Sequence, residues 1–268
     1  MRFLKRTFIG AILFQIGIVQ SAIASPPKYA LDFANDFTLT LTAAGMAGFG
    51  TFLYYRMETP DSFREKNELL PWDRPFAGRY SETADRMSDY GLALAIAPFA
   101  IGGIALYSGN SNGKEFATFT LMLLQSIGIS NGINLTLRSF EIWPRPYIYA
   151  ESGDGRDLAD NAKSEASGSF FSGHATAAFC IATFTDQWFR TAYSGSPYTS
   201  IVRATAYSLA GFESVLRVAA GKHYPSDVIV GALVGTGVSL GVLELHKNRN
   251  KRYSLWAFPN MVGITLFY

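Results

Sequence analysis

Six long stretches of the chain carry few or no charged positions: 37–55, 90–108, 116–137, 171–189, 201–219 and 228–245. Their length favours helices over strands. Gly, Ala and Ser recur within them, as they do where helices approach closely. Residues 56–89 mix both signs of charge with Pro60, Pro71 and Pro75, which reads as a substantial connector holding short helices. The segment "AESGDGRDLADNAKSEASGS" at 150–169 reads as a Gly- and Ser-rich loop, and "HKNRNKR" at 246–252 as a basic patch. The apolar tail after it contains "WAFPNMVGITLFY", to which no function is assigned. No repeat and no internal domain boundary is visible. The pattern predicts one all-α domain, a bundle of about six core helices.

The first 24 residues have a different character. Arg2, Lys5 and Arg6 precede the short apolar run "FIGAILFQIGIV", and "AIA" at 22–24 supplies small residues before Ser25 and two prolines. That order reads as an export signal, with an uncleaved anchor as the alternative. Residues 25–268 are then the helical domain.

Composition adds a membrane to the picture. Charged residues make up 16% of the chain, against roughly 25% in an average soluble domain. Mean hydropathy is only +0.12, low for a chain mostly embedded in lipid. The first three stretches are of spanning length, whereas the fifth carries Arg203, Glu213 and Arg217. Topology adds a conflict. If a signal is cleaved and three spans follow, residues 143–147 lie in the cytosol and the basic 246–252 segment outside, against the positive-inside tendency. Either 37–55 does not span, or the helices form an exported peripheral or soluble domain; membrane association is the reading taken. A net charge of +2 gives no bulk attraction for nucleic acid. The single cysteine, Cys180, lies in "TAAFCIATF" as a small buried hydrophobe and excludes an internal disulfide framework.

The chemistry sits in three polar clusters at loop-to-helix junctions: Arg138 with Arg145-Pro146, then Ser172-Gly173-His174, then Arg217, His223 and Asp227 in "RVAAGKHYPSDV". Three guanidiniums match the oxygens of a phosphate. Ser172 suits an N-cap, Gly173 allows close backbone approach, and the helix start aims N–H groups and a positive dipole end at an anion. Pro225 can open a helix, which leaves His223 just before it and Asp227 in its first turn. There the carboxylate can hold the second imidazole nitrogen. His246, among lysines and arginines, reads as a solvated surface group. No spacing suggests a metal site.

In this order the clusters resemble the three-part signature of the type 2 phosphatidic acid phosphatase superfamily, which also includes bacterial acid phosphatases and vanadium-dependent haloperoxidases. The signature covers 138–227, and the helix pattern fits from about 90 to 245. Three positions depart from it: Arg138 stands where lysine is usual, Phe171 where proline is usual, and Leu216 where serine is frequent. The resemblance implies an acid phosphatase/haloperoxidase-like bundle in which His223 is the nucleophile, Asp227 orients it and His174 is the general acid and base. Arg138, Arg145, Ser172, Gly173 and Arg217 then bind phosphate, and no metal or other cofactor takes part. The implied substrate is a phosphorylated lipid or small phosphoester, hydrolysed through a phosphohistidine. The implied place is the membrane or periplasm, with the site on the non-cytosolic side. A soluble exported acid phosphatase, a haloperoxidase holding vanadate, and a non-catalytic scaffold remain alternatives at this stage.

Overall fold

The computed structural model describes residues 29–58, 60–108, 113–247, 253–258 and 261–266, so the export-signal segment 1–24 lies outside the described residues. Among the described residues the helices are α1 (Phe33–Tyr55), α2 (Glu82–Ser108), α3 (Gly113–Arg138), α4 (Gly153–Asp160), α5 (Gly173–Ala192), α6 (Thr199–Ala219) and α7 (Pro225–Leu245). Each predicted stretch is a long helix, and the all-α bundle expected from the pattern is what forms. The loop expected at 150–169 holds the short α4 and a 3-10 turn at Ser164–Ser167. The apolar tail adds an antiparallel hairpin, β1 (Tyr253–Phe258) and β2 (Met261–Leu266), with Tyr253 opposite Leu266.

Side-chain pairs fix the helix directions. Gln125 reaches Thr40 and Arg138 lies over the Tyr54 ring, so α1 and α3 run parallel. Thr183 meets Tyr207 and Arg203 meets Asp186, so α6 runs against α5. Ser88 meets Arg217, so α2 runs against α6. The six long helices therefore alternate between two ends of one bundle. The loops 56–81 and 139–172 gather at one end. Tyr29 and Lys247 pair in a β-bridge at the other.

Glycine permits the close contacts. A Cβ on Gly132 of α3 would stand 2.5 Å from the Met46 carbonyl carbon of α1, and one on Gly235 of α7 would stand 2.3 Å from the Thr176 carbonyl oxygen of α5. The buried positions of α7 include Asp227, Gly231, Gly235, Ser239 and Val242, a stripe of mostly small or polar residues about one turn apart. Its outer face carries the exposed Ile229, Leu233 and Leu240, and α1 turns Phe33, Phe37, Leu41, Phe49 and Phe52 outward. Small and polar residues inside with large apolar ones outside is the reverse of a soluble bundle, and it matches helices solvated by lipid. Among the described residues three helices, α1, α3 and α7, are long and apolar enough to cross a membrane.

Aromatic packing occupies the end away from the two large loops. Trp188 stands edge-on to Phe99, Phe116 and Tyr193, with Phe119 and Phe184 beside them. His246 lies at this end and corrects the surface reading given above. It is only 3% exposed, and its ring contacts the Val242 carbonyl at 2.8 Å and Asp36 of α1 at 2.5 Å. Charge density in the sequence suggested solvent; the returning α1 supplies a buried carboxylate instead.

Gly235→Val should lower the thermal midpoint of the detergent-purified protein by roughly 5 °C or more, because overpacking costs about 1–3 kcal/mol. Gly237→Ala, where an added Cβ meets nothing within 4 Å, should leave it unchanged.

Candidate active site

The end of the bundle carrying the two large loops gathers all three clusters. Arg138 closes α3; its Nε–H donates to the Gly168 carbonyl at 2.8 Å and its guanidinium lies 4.9 Å from the centre of the Tyr54 ring. Arg145 is fixed through its backbone N–H, which donates to the Ala166 carbonyl at 2.7 Å, while its side-chain Nε is buried without a hydrogen-bond partner. Arg217, in the last turn of α6, is 5% exposed. It donates through Nη1 to Ser88 Oγ at 2.7 Å and lies 3.5 Å from Asp85, both on α2, and its Nε is also unpartnered. Buried guanidinium N–H groups with nothing to donate to are costly unless a ligand accepts from them.

Ser172 caps α5, its Oγ accepting from the Ala175 N–H at 3.4 Å. Its own N–H donates to the Asp227 carbonyl at 3.1 Å, which ties the start of α5 to the start of α7. Asn134 of α3 donates to the Phe171 carbonyl at 2.5 Å, and a Cβ at Gly173 would stand 3.0 Å from its Oδ1. His174 follows in the first turn of α5, half-buried.

His223 stands one residue before the N-cap of α7, as the placement of Pro225 implied. The expectation for Asp227 needs correction. The Nδ1 of His223 contacts the Ser169 carbonyl at 2.8 Å, whereas the Asp227 carboxylate is 3.7 Å away. Asp227 instead accepts from Ser169 Oγ at 2.6 Å and from the Tyr224 N–H at 2.9 Å. The carboxylate braces the loop, and the loop's carbonyl holds the ring. Because a carbonyl can only accept, Nδ1 carries the hydrogen and Nε2 is left with its lone pair.

Burial first, then the positive charges of Arg217, Arg145 and Arg138, hold the His223 ring well below its ordinary pKa. The same causes in the same order push His174 down to about 4, with Asp85 opposing them. Both rings therefore share the field of the three guanidiniums.

Ser169, Asp85, Ser88 and Asn134 were missed in the sequence. Asp85 and Ser88 sit three apart on one helical face, a usable signal had α2 been started at Glu82 rather than at residue 90. Ser169 offered none, since its carbonyl acts by position alone.

The family model for the PAP2 superfamily matches residues 119–251, a span that contains every clustered residue named above. The chain belongs to the PAP2 superfamily. It is a phosphatase of that superfamily. Two crystal structures are similar to it. One is Aquifex aeolicus LpxE, at 22% identity and TM-score 0.42, covering 64% of this chain and 92% of that one. The other is the first transmembrane PAP2 type phosphatidylglycerolphosphate phosphatase from Bacillus subtilis, at 16% identity and TM-score 0.45, covering 78% and 94%. No curated protein matches the chain.

Ring-proton NMR of the phosphate-free protein should find both histidines neutral at pH 6, where an ordinary imidazole is mostly charged. Adding phosphate should raise the His174 pKa, because the dianion offsets the guanidinium charge. A normal titration near 6.5 for both rings would contradict this electrostatic account.

Proposed function

We propose that this PAP2 phosphatase hydrolyses phosphate mono- or diphosphate esters of lipids through a phosphohistidine on His223, without a metal ion. The observation that carries the reading is the tautomer: the Ser169 carbonyl holds Nδ1, so the Nε2 lone pair is the free nitrogen in the field of three arginines. Nε2 attacks phosphorus as the bond from phosphorus to the leaving oxygen breaks. The electron pair stays on that oxygen, and His174 protonates it. His174 then takes a proton from the water that displaces His223 and releases phosphate. Because the guanidiniums hold the His174 pKa down, the bound dianion has a second task. By neutralising the guanidiniums it restores the basicity His174 needs. Arg138, Arg145, Arg217, Ser172 and the Gly173 amide hold the phosphoryl oxygens while charge redistributes. Asp227 acts through Ser169 and Tyr224 as a positioning group.

A lipid substrate follows from what surrounds the site. The outward faces are apolar, and an open groove of about 420 Å³ lies between α6 and α7, lined by Phe76, Val215, Val218, Val228 and Ile229 with Arg79 at its polar end. The groove is lined from the last turns of α6 and the first turn of α7, the same helix ends that carry Arg217 and Asp227.

With all six long helices taken as crossing, the site lies across the membrane from Tyr29 and Lys247. We place the site on the non-cytosolic side, which keeps the basic run from Lys247 to Arg252 in the cytosol. With α1 crossing, removal of residues 1–24 outside the cytosol would reverse this placement, so the two readings are exclusive. Labelling of intact cells by an impermeant maleimide decides between them, because the native Cys180 is buried. Ser62→Cys should label and Ser194→Cys should not; the opposite pattern puts the site in the cytosol.

His223→Ala should abolish hydrolysis of phosphatidate in mixed micelles, and more than a few per cent residual turnover rules out the nucleophile assignment. His174→Ala should slow an alkyl phosphate by about 10²-fold or more while sparing a nitrophenyl ester, whose leaving group needs less protonation.

A further inference from the structure

One cation at the site has no part in the mechanism above. Lys222 immediately precedes His223 in the turn made by Gly221, whose positive φ of 65° and contact with the Arg79 carbonyl exclude a side chain there. Its ammonium lies 3.0 Å from Asp85 and sits 5.4 and 5.9 Å from the ring centres of Tyr147 and Tyr80. The side chain keeps 15% of its surface open. Two aromatic faces and a carboxylate thus hold a flexible side chain in one place beside the nucleophile, at a real entropic cost.

Charge counting shows what is left over. The three equatorial oxygens of one phosphoryl group already have Arg138, Arg145, Arg217 and the start of α5 for partners. Asp85 stands between Arg217 at 3.5 Å and Lys222 at 3.0 Å, so the ammonium lies one carboxylate beyond the guanidinium. A second phosphate joined to the one held at Arg217 extends into reach of that ammonium.

We infer that Lys222 is a specificity-determining residue for diphosphate esters, its ammonium receiving the inner phosphate of the leaving group while the terminal phosphoryl group lies among the three arginines. This rests on the proposed phosphohistidine reading and narrows its substrate class. In the first step the bond from His223 Nε2 to the terminal phosphorus forms. The bond from that phosphorus to the bridging oxygen breaks, and the electron pair remains on the bridging oxygen, now part of a monophosphate ester. Lys222 stabilises that developing charge, a transition-state interaction that a simple monophosphate cannot use. Water then releases phosphate from His223 with His174 as base, as before. A lone phosphate on an alkyl oxygen depends instead on protonation by His174, so the two substrates separate the two residues.

The test compares a prenyl diphosphate with the monophosphate of the same alcohol, using the full chain in detergent micelles and Lys222→Gln beside Lys222→Arg. Lys222→Gln should lower kcat/KM for the diphosphate by about tenfold or more, the worth of one charge-assisted contact. The monophosphate should stay within about twofold. Lys222→Arg, which keeps the charge, should recover most of the diphosphate rate. Equal losses on both esters would mean that Lys222 merely holds Asp85 and Arg217 in place, and would overturn the inference. No loss on either would do the same. A wild-type enzyme inactive on both esters and on phosphatidate defeats the proposed function itself, and this inference with it.

Discussion

The spacing between α5 and α7 governs the candidate site, because the helix start proposed to bind the anion and the loop proposed to carry the nucleophile belong to different helices. Gly231 and Gly235 let α7 approach until its backbone faces the carbonyls of Ser172 and Thr176, with no room for a Cβ at either glycine. At that distance the Ser172 N–H donates to the Asp227 carbonyl, and the two helix starts are held in register. Ser169, in the loop leading into α5, then reaches both Asp227 with its hydroxyl and His223 with its carbonyl. A wider gap would separate the donors of α5 from the ring that α7 presents, although each would keep its own local structure.

The second organising constraint is unbalanced charge. Arg138 is held by the Gly168 carbonyl and Arg217 by Ser88 of α2, the Nε atoms of Arg145 and Arg217 are buried without hydrogen-bond partners, and Asp85 is shared between Arg217 and Lys222. A cluster of like charges is unfavourable by itself. It becomes favourable when a dianion enters, and the same event changes the basicity of both imidazoles. In the proposed mechanism substrate binding and proton placement are therefore one electrostatic process, in a site where few charges are fully hydrated.

Around this polar end the bundle is arranged for lipid. The aromatic cluster at Trp188 fills the far end, small residues line the helix contacts, and Phe, Leu and Ile face outward on α1 and α7. Without a hydrophobic drive between helices in a bilayer, close packing and interhelical hydrogen bonds must hold them together. The Asp36 pairing with His246 and the bond from Gln125 to Thr40 are such bonds, and they fasten α1 to the rest.

Much of this protein could be read from its residues in order. Length and low charge specified the long helices, because an apolar run of that extent has few other ways to satisfy its backbone. The clusters at 138–145, 172–174 and 217–227 announced anion chemistry, because arginines, a serine cap and a proline-opened helix each have local physical meanings. Partners distant in the chain were another matter. That His223 is held by a carbonyl of residue 169 and not by Asp227, that Asp85 and Ser88 of α2 steady Arg217, and that His246 is buried against Asp36 all depend on which helix ends meet. Spacing along the chain records what one helix offers to its surroundings. Only the packed bundle decides which neighbour accepts it, since a hydrogen bond fails over a displacement smaller than a single side chain.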